Sequence, residues 1–393
     1  MKTRLLIVLL FVLTAGIVLG LPERGQERPP QPQPQPLSQK PRIDAVFVLD
    51  TTGSMGGLIQ AAKENIWSIA SSMASAQPTP ELRIGLVAFR DRGDEYVTRM
   101  FDLSTDLDAM YLELMGFQAG GGGDFPEAVN EALYDAVHRM SWTQDNSAYK
   151  VIFLVGDAPP QMNYPDDVKY PETLKVAGQR GIVVNTIQAG DNGATRAAWQ
   201  QIASLGNGAS FKVGMQGDAI AVATPFDEEI ARISREMDDT RLFYGSAETQ
   251  AAMARKAEAG AELDRITTTG ARVKRALFNA SPAGRDNFLA GADLVDDISS
   301  GRVDIDAIDE ALLPAPVAAM EPEARREAVE QAANRRAELQ ARLGELAAKR
   351  SLHVEAELRS RDDVEESLDR QLFEVVKAQA ASKGLSYEGK EVH

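Results

Sequence analysis

The sequence predicts an α/β fold: a doubly wound, mostly parallel sheet followed by an α-helical C-terminal region. Three observations carry this. Runs such as IDAVFVLD, KVIFLVGD and IVVNTIQAG show no polar alternation, the pattern of strands buried on both faces. Segments with apolar residues at helical spacing separate them, and such alternating units build a parallel sheet with helices on both sides. Beyond residue 244 the strand-like runs stop, and long stretches rich in Ala, Glu, Arg and Leu take over.

The elements follow in order. Residues 1–20 carry Lys2 and Arg4 ahead of an apolar run, the layout of a secretory signal peptide. The run is close to membrane-spanning length, so a retained anchor is the alternative, and a membrane contact is expected only in that case. Either way the rest of the chain is expected outside the cytoplasm, periplasmic or secreted. Residues 21–42 form a Pro/Gln-rich spacer without the apolar surface needed to fold.

The α/β domain is expected over residues 43–243. Its strands are 43–50, 82–89, an amphipathic edge strand over 96–103, 150–157, 182–190 and 209–213. The intervening helices are 58–73, 126–140, 171–181 and 195–206, with a closing helix over 226–243. Residues 244–393 hold helical patterns over 247–277, 323–349 and 362–381, read as a bundle or arm packing on the first domain. Coiled-coil self-association is the alternative there, weakened by a seam composed mostly of Ala. Oligomeric state is left open.

Composition narrows the chemistry. The 393 residues suffice for roughly two domains of about 100–200 residues each. A net charge of −16 argues against nucleic acid as a partner, because phosphate contacts need clustered Lys and Arg. With no cysteine, disulfides, thiol catalysis and Cys-based zinc sites are excluded. With only three histidines, any metal is expected to be a hard cation bound through oxygen.

Open α/β sheets bind ligands beyond the carboxyl ends of their strands. Three acids fall there: Asp50 ends the first strand, Asp124 follows the glycine run AGGGG, and Asp157 ends KVIFLVGD. Thr52 and Ser54 follow Asp50 at alternate positions, aiming two hydroxyls at the point the carboxylate faces. Such oxygens, with water completing the set, suit magnesium at about 2.0–2.1 Å, with manganese or calcium as alternatives. The plain alternative is a helix cap on an ordinary βα turn, where Ser, Thr and Asp are favoured.

Residues 43–243 resemble a von Willebrand factor type A domain of the bacterial exported kind. The stretch Asp50-Thr51-Thr52-Gly53-Ser54 is similar to that family's metal-ion-dependent adhesion site, with Thr52 in place of the family's first Ser. Asp157 matches the Asp that the family places after the next buried strand. Asp124 stands where the family has a Thr, which adds negative charge and either favours the cation or binds it directly. The resemblance implies a non-catalytic binding module, in which a protein partner's carboxylate completes the coordination of a divalent cation held by Asp50, Thr52, Ser54, Asp124 and Asp157.

A rival reading comes from the likeness of DTTGS and Gly156-Asp157 to haloacid-dehalogenase-like phosphatases. There Asp50 would be a nucleophile and Asp157 a magnesium ligand. Position 52 lacks the second acid that chemistry uses, and no inserted nucleotide-binding segment separates the two stretches. A third reading is an assembly protein acting through its helices. RDRGDEY follows the second strand, and Arg90, Asp91 and Asp94 are expected to line the rim of the site. The glycine loop lacks the Lys-Ser/Thr ending of a phosphate cradle, so its bare backbone is read as serving close approach to the cation.

Overall fold

The computed structural model describes residues 40–123, 125–214, 222–359 and 368–387. The expected signal segment, most of the spacer, Asp124 and residues 362–367 of the third helical pattern lie outside them. Six strands, β1 (Arg42–Asp50), β2 (Glu81–Phe89), β3 (Thr98–Ser104), β4 (Tyr149–Gly156), β5 (Ile182–Ala189) and β6 (Asn207–Val213), form one sheet in the order β3-β2-β1-β4-β5-β6. All neighbours pair in parallel except β3, which runs antiparallel to β2 at one edge. The order reverses between β1 and β4, and such a switch point opens a crevice at the strands' carboxyl ends.

The unbroken apolar runs are buried on both faces, as their pattern predicts. Alternate residues point to opposite sides of a strand. Ile43, Phe47, Val151 and Phe153 enter one core, where the Phe47 and Phe153 rings stack with centroids 5.4 Å apart. Val46, Val48, Ile152 and Leu154 enter the other. Helices α1 (Gly56–Ala74) and α2 (Leu107–Gly116) cover the first face; α3 (Val129–His138), α4 (Tyr170–Gln179) and α5 (Gly193–Leu205) cover the second. Helix α3 begins later than the pattern over 126–140 predicts. Glu127 is drawn instead into an isolated bridge with Pro160, donating its N–H to Pro159 O at 3.1 Å and accepting from Gln161 N–H at 2.7 Å.

The C-terminal region holds α6 (Asp227–Asp238), α7 (Ala247–Ile266), α8 (Thr269–Ala280), α9 (Pro282–Leu289), α10 (Pro322–Arg359) and α11 (Leu368–Ala381). The single pattern over 247–277 is two helices. Thr267 Oγ1 donates to Leu263 O at 2.6 Å while Thr268 Oγ1 accepts from Ala271 N–H at 3.3 Å, so the threonine run ends one helix and caps the next. The closing helix α6 is shorter than expected and leaves the sheet. Its Ile230, Ile233 and Met237 pack with Val273 and Ala276 of α8 and Leu339, Leu343 and Leu346 of α10. The buried seam of α10 is therefore made of Leu, Val and Arg rather than Ala, and its leucines are used within the chain.

Two features tie the helices to the sheet. The Arg275 guanidinium of α8 pairs with both oxygens of Asp108 in α2, each at 2.7 Å, with both residues buried. Helix α11 returns to the first sheet face, where Leu372, Phe373, Val376 and Ala380 join the core with Leu385 and Tyr387. Gln379 there accepts from Tyr149 Oη at 2.6 Å and exchanges bonds with Asn185 at 3.1 and 2.9 Å. The described residues accordingly form one compact unit. Among them, no helix is long and apolar enough to cross a membrane.

Candidate metal centre

Four of the five acids and hydroxyls singled out in the sequence meet at the switch point. Asp50 Oδ1 accepts from the Thr52 N–H at 2.9 Å and from Thr52 Oγ1 at 2.6 Å. Thr52 Oγ1 lies 3.0 Å from Ser54 Oγ, which donates to Asp157 Oδ1 at 3.1 Å. The chain of contacts runs from buried Asp50 and Thr52 to exposed Ser54 and half-buried Asp157. Asp157 is fixed from behind, its carbonyl accepting from Thr195 Oγ1 at 2.8 Å. Asp124, the fifth, lies outside the described residues.

The second Asp50 oxygen, Oδ2, is buried without a well-formed hydrogen bond. Burial raises the Asp50 pKa to about 7, against the two Thr52 hydrogen bonds that favour its charged form and with the help of the Asp157 charge. A carboxylate oxygen buried and unbonded beside a second acid lacks a positive charge. The donors on offer are carboxylates and hydroxyls, the set that suits a hard divalent cation. Among the described residues, no three His, Asp or Glu side chains cluster closely enough to hold a metal by themselves.

The glycine loop closes over these groups. Gly53 N–H donates to Gly121 O at 3.1 Å and Gly120 N–H to Thr51 O at 3.0 Å. Gly121 and Gly122 take φ of +72° and +76°, which side chains other than glycine's rarely tolerate. The rim residues are structural rather than displayed, unlike the expectation for Arg90 and Asp94. Arg90 is buried and donates to Thr51 O and Gln118 O; Asp94 Oδ2 accepts from Asp91 N–H and Gly122 N–H, at 3.1 and 2.9 Å. Arg92 pairs with Glu131, Asp166 and Asp167.

Glu127 was not legible as part of this end of the sheet. It is 3% exposed and its Oε2 is buried without a partner. Burial first, then the charges of Asp50, Asp91, Asp94 and Asp157, push its carboxyl up to about 8. In the sequence it reads as an acid in the first turn after Pro126. The bridge to Pro160, a pairing between two loops, carries no local signal.

A family model described as von Willebrand factor A domain matches residues 45–211. The chain is similar to von Willebrand factor A domain-containing protein 7 of Mus musculus, 35% identical over 125 residues that make up 32% of this chain and 13% of that protein. It is 26% identical over 120 residues, 30% of this chain and 18% of that protein, to the alpha-protein kinase vwkA of Dictyostelium discoideum. The chain thus spans less than a fifth of the length of these relatives. Among solved structures, the proximal thread matrix protein 1 of the mussel byssus with a zinc-occupied MIDAS motif is 19% identical, covering 44% of this chain and 42% of that one with a TM-score of 0.35. With the six-stranded, mostly parallel sheet and its flanking helices, the match gives residues 45–211 a von Willebrand factor A-like fold.

Proposed function

We propose that this chain is an exported binding protein whose von Willebrand factor A domain holds a divalent cation, magnesium first and manganese or calcium as alternatives, to recruit a protein partner. Domains of this family serve protein–protein interaction. The observation that carries the cation reading is the buried, unbonded Asp50 Oδ2 at the head of the Asp50–Thr52–Ser54–Asp157 chain. Asp50, Thr52 and Ser54 would hold the near side of the cation, with Asp157 completing it directly or through water. A bound cation supplies a coordination position for a partner's carboxylate. Asp124 remains a candidate for that same sphere.

The protein's own groups do the rest. Thr52 orients Asp50 through two hydrogen bonds, and the glycine loop keeps Thr51 and Gly53 in register with it. We read the domain as non-catalytic, because Asp50 is 1% exposed and Thr52 stands where phosphatase chemistry uses a second acid. Export rests on the signal-like residues 1–20, and assembly through the helices loses support because the α10 seam is filled within the chain.

The test is affinity capture from envelope extract with the purified chain, in magnesium, in EDTA, and with Asp50→Ala. A protein retained only by wild type in magnesium supports the reading. Equal capture in all three conditions removes the cation site from partner binding, and phosphomonoester turnover lost in Asp50→Asn would restore the enzyme.

A further inference from the structure

Glu127 presents a problem that the adhesion-site residues do not solve. It is 3% exposed, its Oε2 has no hydrogen-bond partner, and no ion pair reaches its carboxylate among the described residues. An isolated buried carboxylate is among the most costly groups a fold can hold. The acid cannot swing clear, because its backbone is fixed on both sides: N–H to Pro159 O, and carbonyl accepting from Gln161 N–H and Val129 N–H, the last at 2.8 Å. A helix-capping role does not account for it either, since its unpaired Oε2 accepts from none of the N–H groups opening α3.

What it faces is the cation site. A Cβ on Gly122 would lie 3.2 Å from Glu127 Oε1 and 3.0 Å from Thr52 Cβ, so Glu127 and the central hydroxyl residue of the site pack on the same bare glycine. Gly122 is held in place by Asp94 Oδ2, at 2.9 Å from its N–H. Two buried carboxylates with an unpartnered oxygen each, Asp50 and Glu127, therefore flank Thr52 at one end of the sheet.

We propose that Glu127 is a positioning residue for the cation, its carboxylate accepting a hydrogen bond from a water ligand of the ion held by Asp50, Thr52, Ser54 and Asp157. This rests on the cation reading given above and extends it by one residue outside the adhesion-site pattern. Its charge is then compensated by the ion rather than by the protein, which explains why no Lys or Arg was placed beside it. Groups one step removed from a metal typically contribute 10- to 100-fold in affinity.

The test is calorimetric titration of the full chain with Mg²⁺ and with Mn²⁺, alongside thermal melts in EDTA. Glu127→Gln is expected to raise the dissociation constant about 10- to 100-fold. Its melting temperature in EDTA is expected to equal or exceed that of wild type, because a buried acid without a hydrogen-bond partner on Oε2 is gone. A merely structural acid would move the other way, lowering the melt in EDTA. Glu127→Asp, which keeps the charge and shortens its reach, should also lose affinity, and Glu172→Gln on the exposed side of α4 should lose none. A folded Glu127→Gln with wild-type affinity, or one that melts lower in EDTA, overturns the proposal while Asp50→Ala still abolishes binding. Absence of Mg²⁺ and Mn²⁺ binding by wild type overturns the cation reading and this one together.

Discussion

Gly156 and Asp50 lie level on adjacent strands, and a Cβ on Gly156 would fall 2.9 Å from Asp50 Cβ and 3.0 Å from its Oδ2. The end of β4 is thus bare where the key carboxylate needs room. Gly156→Ala should push Asp50 away from Thr52 or shift β4 against Trp199, whose Cζ2 would be 3.2 Å from the added carbon. Overpacking of this kind costs about 1–3 kcal/mol. Urea denaturation should show that loss, with weaker Mg²⁺ binding in the same variant. An unchanged midpoint would mean the strand ends yield freely.

The two raised carboxyls set a pH dependence for the cation-free protein. Asp50 titrates near 7 and Glu127 near 8 when folded, against ordinary values of 3.8 and 4.5. The folded state therefore binds more protons than the unfolded chain between about pH 4 and 8, and stability must fall as pH rises through that window. In EDTA, the melting temperature should drop from pH 5 to pH 9. Saturating Mg²⁺ should flatten this slope, because the ion stabilises the charged forms, and its affinity should increase over the same range. A melt in EDTA that rises toward pH 9 would show that these acids titrate normally.

Much of the sheet and site was legible because both are local patterns. Unbroken apolar runs end in Asp50 and Asp157, and strand ends of a doubly wound sheet converge at the switch point. Glu127 was not legible, since what positions it is a bridge from its backbone to a loop beginning after β4. Helix α11 was visible as a helix, but an amphipathic pattern says which face is buried and not against what. The same limit hid the use of the α10 leucines, whose partners on α6 lie about a hundred residues earlier. The break between α7 and α8 was missed for another reason: three threonines in succession carry both a stop and a cap, and the apolar period on either side masks them.

The Arg275–Asp108 pair joins the helical region to the sheet, and removing one partner leaves a buried charge uncompensated. Burial alone would raise the Asp108 carboxyl; the Arg275 guanidinium outweighs it and holds Asp108 well below the usual carboxylate range. Arg275→Met should therefore cost about 3–5 kcal/mol. Because the folded pKa of Asp108 is depressed, the pair's contribution is present above pH 4 and is lost as pH falls below it. Acid titration of Arg275→Met should show a shallower loss of stability below pH 4 than wild type. Parallel curves would place the acid sensitivity elsewhere.

Helix α11 fills a sheet face from the far end of the chain, and this makes a claim about cooperativity. Phe373 is 7% exposed and meets Tyr387 edge-on with ring centroids 5.7 Å apart, inside the core that also holds Phe47 and Phe153. Truncation of such an aromatic costs about 3–5 kcal/mol when the cavity cannot collapse. If α11 belongs to the sheet's core, Phe373→Ala lowers the stability of the whole unit. Near-ultraviolet and far-ultraviolet signals should then be lost in one shared transition at a lower urea midpoint. A separate early transition that leaves the sheet's midpoint unchanged would show α11 to be a detachable arm, and the Gln379 bonds to Tyr149 and Asn185 would count for little in holding it.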